Sequence, residues 1–134
     1  MALELVRTRK VSANETKADG ARLLAVEHTV RSKALQESYH AVLQVQASST
    51  TTLPTVATNL ASIKYLYLEV NDPVTLGIKN GNLGQADFQE LYIAPLVVNG
   101  LATFECDIDA TEVQITNASA VSVRVHVFVA GDTL

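Results

Sequence analysis

The chain has 134 residues, 48% of them hydrophobic, with ten basic and fourteen acidic side chains and a net charge of −4. That length suits one domain able to bury about two-thirds of its unfolded surface, and charge of both signs along the chain excludes the electrostatic footprint of a nucleic-acid binder. The single cysteine, Cys106, cannot close an internal disulfide, so the core must hold without the crosslinks of small secreted domains.

Met1-Ala2-Leu3-Glu4-Leu5 leads into no long apolar run, so no signal peptide is expected, and no uninterrupted apolar stretch reaches membrane-spanning length. Leu3, Leu5 and Val11 mark an extended segment, and residues 12–20 form a polar loop closed by the turn pair Asp19-Gly20. Residues 1–20 therefore read as an N-terminal arm or first strand, and 21–134 as a single β-sandwich domain. Arg7, Arg9, Lys10 and Lys17 concentrate positive charge in this arm, which is either a solvated strand or a docking surface for an acidic partner.

From 22 to 45 two periodicities compete. Leu24, Val26, His28 and Val30 alternate, while Val26, Val30, Ala34 and Leu35 approach helical spacing. Strands over 22–30 and 39–47 are predicted, with a helix within 31–42 as the alternative. The second strand has Tyr39, Ala41, Leu43 and Val45 on one face and His40, Gln44 and Gln46 on the other.

Residues 47–54 lack apolar periodicity and end at Pro54, which predicts an exposed connection. Residues 63–70 are rich in strand formers, and Asn71-Asp72-Pro73 predicts a hairpin into residues 74–79. Asn80-Gly81-Asn82 supplies residues that tolerate positive φ, and Pro95 interrupts the apolar stretch that follows, predicting a sheet edge or bend. Asn99-Gly100 predicts a two-residue hairpin between short strands at 96–98 and 101–106. Residues 113–117 alternate, and from Val121 to Val129 valine stands at every second position, the pattern of a strand with one buried face. The whole predicts an all-β fold, a jelly-roll-like or Greek-key β-sandwich of seven to eight short antiparallel strands with an N-terminal arm.

No catalytic residue, cofactor site or metal site is predicted. Asp107, Asp109 and Glu112 bring three carboxylates together in a turn, but their spacing does not match a calcium loop, and a solvated turn is the preferred reading. His28, His40 and His126 share no short ligand spacing with each other or with Cys106, which reads as a small buried hydrophobe. Asn14-Glu15-Thr16 and Asn117-Ala118-Ser119 match the glycosylation pattern by coincidence. Phe128 falls opposite the valine face, where its ring either meets another subunit or is covered by the N-terminal segment.

The segments IKYLYLEVNDPVTLGIKNG, FQELYIAPLVV and VQITNASAVSVRVHVFVAGD resemble small jelly-roll structural proteins of tailed-phage virions. The resemblance covers roughly residues 61–132 and rests on hydrophobic pattern and turn residues. It implies a non-enzymatic virion protein made in the host bacterial cytoplasm: a capsid decoration (cement) protein, or alternatively a head-tail connector or tail accessory subunit. It further implies a homotrimer whose partners are other copies and the major capsid protein or other virion subunits, while charge and the lack of a long apolar run lead us to expect neither nucleic acid nor membrane as a partner. Arg7, Arg9 and Lys10 would dock on the shell, and Phe128 would serve trimer contacts. A carbohydrate-binding sandwich is a second reading, disfavoured by the absence of tryptophan as a stacking platform. A cupin-like metalloenzyme is a third, and would need converging histidines.

Overall fold

The computed structural model describes residues 4–14, 22–31, 35–53 and 60–133. The chain divides into two compact units, Ala2–Leu35 and Gln36–Leu134.

The first unit is an antiparallel hairpin of β1 (Val6–Asn14) and β2 (Arg22–Arg31), in register from Val6 opposite Arg31 to Ala13 opposite Leu24. Residues 22–31 thus pair with the arm and belong to neither sheet of the sandwich. Cross-strand pairs support the register: the Thr8 and Thr29 hydroxyls lie 3.1 Å apart, and Lys10 stands 3.7 Å from the Glu27 carboxylate.

The second unit is a sandwich of eight strands: β3 (Glu37–Val45), β4 (Ser49–Leu53), β5 (Leu60–Val70), β6 (Val74–Lys79), β7 (Gln89–Ile93), β8 (Ala102–Ala110), β9 (Glu112–Asn117) and β10 (Val123–Thr133). One sheet has the order β3-β10-β5-β8 and the other β4-β9-β6-β7, all pairs antiparallel. Counted within the sandwich, these orders are first-eighth-third-sixth and second-seventh-fourth-fifth, the nested Greek keys of a jelly roll. The fold is the all-β sandwich that the short strands predict.

Val123, Val125, Val127 and Val129 of β10 are fully buried and meet Leu66, Leu68 and Val70 of β5 and Leu76, Val113 and Ile115 of the facing sheet in one core. Each such side chain contributes about 1.5–3 kcal/mol by leaving water. Tyr39 and Leu43 pack on this core and Val45 lies within it, while His40 and Gln44 face out, as their alternation predicts.

Several predicted connections are corrected. Val121 is exposed and precedes β10, so the alternation begins one valine earlier than the strand. The predicted second strand begins at Glu37 rather than Tyr39, and the helical alternative fails for residues 37–42, which are extended; residues 32–34 lie outside the described residues. Ser49–Leu53 is an edge strand rather than an exposed connection. Its threonines are β-branched and suit a pleated surface whose outer side is wet, and its last residue, Leu53, enters the core. Asn71-Asp72-Pro73 carries the chain from one sheet to the other, so β5 and β6 form no hairpin. Neither do β7 and β8, which also lie in opposite sheets; residues 96–98 form no strand, although Asn99 does take a positive φ of 61°. At residues 80–84 the positive φ falls on Gly84, at 75°, which closes a short 3-10 turn capped by the Asn80 side chain.

Two positions hold the architecture at its corners. Asn117 is fully buried at the end of β9; its amide nitrogen donates to the carbonyl oxygens of Val45 (3.1 Å), Gln46 (3.2 Å) and Val121 (2.7 Å). Its carbonyl oxygen accepts from the Ser119 backbone N–H (3.0 Å) and hydroxyl (2.8 Å). An amide so enclosed offers no acceptor for a glycan. At Gly131 the β10–β5 register shifts, and a Cβ there would collide with the Ser62 carbonyl oxygen, so only glycine permits the approach.

Replacing Asn117 by Ala removes an amide that donates to three carbonyls, of which Gln46 keeps the Ser49 hydroxyl and Val121 the Ser119 hydroxyl, and is expected to cost about 1–3 kcal/mol in urea unfolding. Gly131→Ala is expected to cost about 1–3 kcal/mol by forcing β5 away from β10, with amide exchange accelerated around Ser62.

Candidate interaction surfaces

The outward face of the β3-β10-β5-β8 sheet combines aromatic rings with carboxylates. Register places Phe128 between His40 of β3 and Tyr67 of β5, and places His126 opposite Glu69. Phe128 is half-buried, its ring edge-on to Tyr65 at a centroid distance of 6.1 Å; His40 and His126 meet edge-on at 5.9 Å. The Tyr65 hydroxyl donates to Glu105 at 2.5 Å and the Tyr67 hydroxyl to Glu69 at 2.6 Å. The bond to Glu69, then burial, then the negative charges of Glu69 and Glu105 push the Tyr67 hydroxyl up to about 12, because each disfavours the phenolate.

The residues singled out from sequence fall in both units, Arg7, Arg9, Lys10 and His28 in the hairpin and the others in the sandwich. Arg9 and Lys10 are exposed and Arg7 is half-buried on β1, where alternation puts Arg7 and Arg9 on one side and Lys10 on the other. Asp107, Asp109 and Glu112 do not share a turn: the first two lie on β8, and Glu112 opens β9 in the other sheet. Lys64 pairs with Asp109 at 2.7 Å and Lys79 with Glu112 at 3.0 Å, so two of the three carboxylates have separate cations. Among the described residues no group of three or more His, Cys, Asp or Glu could hold a metal ion. The His28 side chain lies outside the described residues. Cys106 is half-buried on β8 and packs against the core.

An apolar surface around β7 and the loop after it escapes the sequence reading. Leu96 (100% exposed), Val98 (91%), Tyr92 (68%), Val97 (67%), Leu101 (63%) and Leu91 (46%) all present side chains to water. Five of them, all but Val98, line an open groove of about 620 Å³ that Phe104 of β8 helps to floor. Pro95 and the loss of alternation after Ile93 are the available signals. Three consecutive apolar residues that follow no strand period have no single face to bury.

No family model matches the chain, and neither does any curated protein. Among solved structures, one from work on Bacillus endospore appendages, described there as a novel family of disulfide-linked pili, aligns at 15% identity and a TM-score of 0.45 over 73% of this chain and 88% of that one. A likeness that loose carries no argument, and the functional reading rests on the surfaces above.

The raised Tyr67 value predicts that Tyr67 contributes a late step, near pH 12, to the tyrosinate absorbance. Tyr67→Phe should remove that step, and Glu69→Gln should draw it back toward about 10. Since folding raises this value, the stability it contributes is complete below about pH 10 and is lost as pH climbs through the folded value.

Proposed function

We propose that this chain is a non-enzymatic structural subunit of a tailed-phage virion, a capsid decoration protein that binds the head shell as a homo-oligomer. The observation that supports this reading is the exposed apolar loop at 96–98, held between two strands of a well-packed jelly roll. Soluble proteins seldom leave large apolar side chains wholly in water side by side unless a partner covers them. A loop anchored at Ile93 and Ala102 loses little chain freedom on docking, so burial of Leu96 and Val98 is available to binding. Symmetric copies on one shell would add such modest contacts through effective concentration. The resemblance of residues 61–132 to small virion proteins supplies the partner, the major capsid protein.

The full chain, mixed with shells assembled from the major capsid protein of the same genome, is expected to co-sediment saturably. Leu96→Ser combined with Val98→Ser should weaken that binding at least about tenfold, or about 1.4 kcal/mol, with an unchanged circular dichroism spectrum because both side chains touch water rather than core. Absence of co-sedimentation by the unaltered chain sinks the proposal.

A further inference from the structure

β7 stands at the end of its sheet and pairs only with β6 among the described residues, which leaves the backbone groups of its other edge without a strand. Soluble proteins blunt such edges with lysine, proline, a bulge or a covering element. β7 has neither lysine, proline nor a bulge, and Glu90 is its one charge: its sequence is Gln-Glu-Leu-Tyr-Ile, and its register with β6 runs unbroken from Val74 opposite Ile93 to Ile78 opposite Gln89. Of the other three edge strands in the sandwich, β4 is a polar run of serine and threonine and β8 carries Glu105, Asp107 and Asp109, while β3 has neither lysine, proline nor a bulge but exposes only one face, at His40, Val42 and Gln44. On β7, Gln89 to Tyr92 are all exposed, so both of its faces are open.

The five residues are self-complementary. If two copies pair antiparallel with Leu91 on the two-fold axis, Leu91 faces Leu91, Glu90 faces Tyr92 and Gln89 faces Ile93. No like charges oppose each other, and all five residues find a partner. Centring on Glu90 would set carboxylate against carboxylate. Centring on Tyr92 would set Gln89 against Pro95, which has no N–H to give. A tyrosine hydroxyl beside a glutamate is a pairing this chain already makes twice on its other sheet. Leu91 shares the inward face of Ile93, and it lines the groove with Leu96, Val97 and Leu101. The same contact therefore brings the apolar mouths of two sandwiches together.

We propose that β7 is the homotypic docking edge of this chain: a second copy pairs with it antiparallel about Leu91, joining two four-stranded sheets into one of eight strands. The inference deepens the self-assembly part of the proposed function and needs no capsid. It specifies a dimer, where the resemblance to virion proteins implies a trimer.

Sedimentation equilibrium of the full chain should report a dimer with a dissociation constant of about 100 µM or tighter. Leu91→Lys and Leu91→Glu each place like charges face to face on the axis, and each should weaken the dimer at least about tenfold. An equimolar mixture of the two sets lysine against glutamate and should recover dimers. As a second measurement, Leu91→Cys in a Cys106→Ser background should oxidise to a disulfide-linked dimer, since Cα atoms opposed on such an axis lie about 5 Å apart. Gln89→Cys in the same background should not. A monomeric or trimeric wild type, a dimer indifferent to both charges, or a mixture that stays monomeric overturns the inference. Absence of shell binding by the unaltered chain, with the dimer intact, would instead overturn only the capsid reading.

Discussion

β10 is the last strand in sequence, yet it lies in the interior of its sheet, hydrogen-bonded to β3 on one side and β5 on the other. Its valines at 123, 125, 127 and 129 are fully buried, while Arg124 is exposed and His126 and Phe128 are half-buried on the opposite face. A slip of one residue would drive those three side chains into the core and the valines into water. The two-residue period of β10 therefore sets the register of both neighbours, and through them the position of β8. Because β3 and β5 wait for a strand that follows them by more than fifty residues, the sheet closes on non-local contacts, the kind that makes all-β folds slow to assemble.

What the period of one strand cannot do is fasten two sheets at their corners. Asn117 does this at one end by gathering carbonyl oxygens from the β3–β4 turn and from the segment entering β10. One side-chain amide thus ties two chain segments together, donating beside the Ser49 and Ser119 hydroxyls that also reach the Gln46 and Val121 carbonyls. Near the C-terminal end of β10, Gly131 lets the strand approach β5 closely enough to absorb a register shift. Both are small residues of no apparent chemistry, and both stand where the jelly roll changes direction or register.

One sheet presents two tyrosines whose hydroxyls donate to glutamates, and at Tyr67 that bond helps hold the phenol in its neutral form. At the edge formed by β7 and the loop after it, apolar side chains face water beside an open strand. These exposed apolar side chains are the physical basis of the functional proposal.

The sequence by itself determined the strand periods: the valines of β10, the alternation of Tyr39 to Val45 and the run of strand formers in β5 all point their apolar faces to the core, because side-chain period is a local property of extended chain. Its short strands and turn residues also fixed the all-β class. Only tertiary structure decided which strands pair. Asn71-Asp72-Pro73 and Asn99-Gly100 have the composition of hairpin turns, yet both carry the chain between sheets, since turn residues specify a reversal and not the sheet in which the next strand finds its partner. The threonine run at 50–52 became a strand because β9 offered it an edge, and Leu96 to Val98 became surface because no neighbour did. The candidate site is legible only there, in what three-dimensional packing leaves uncovered.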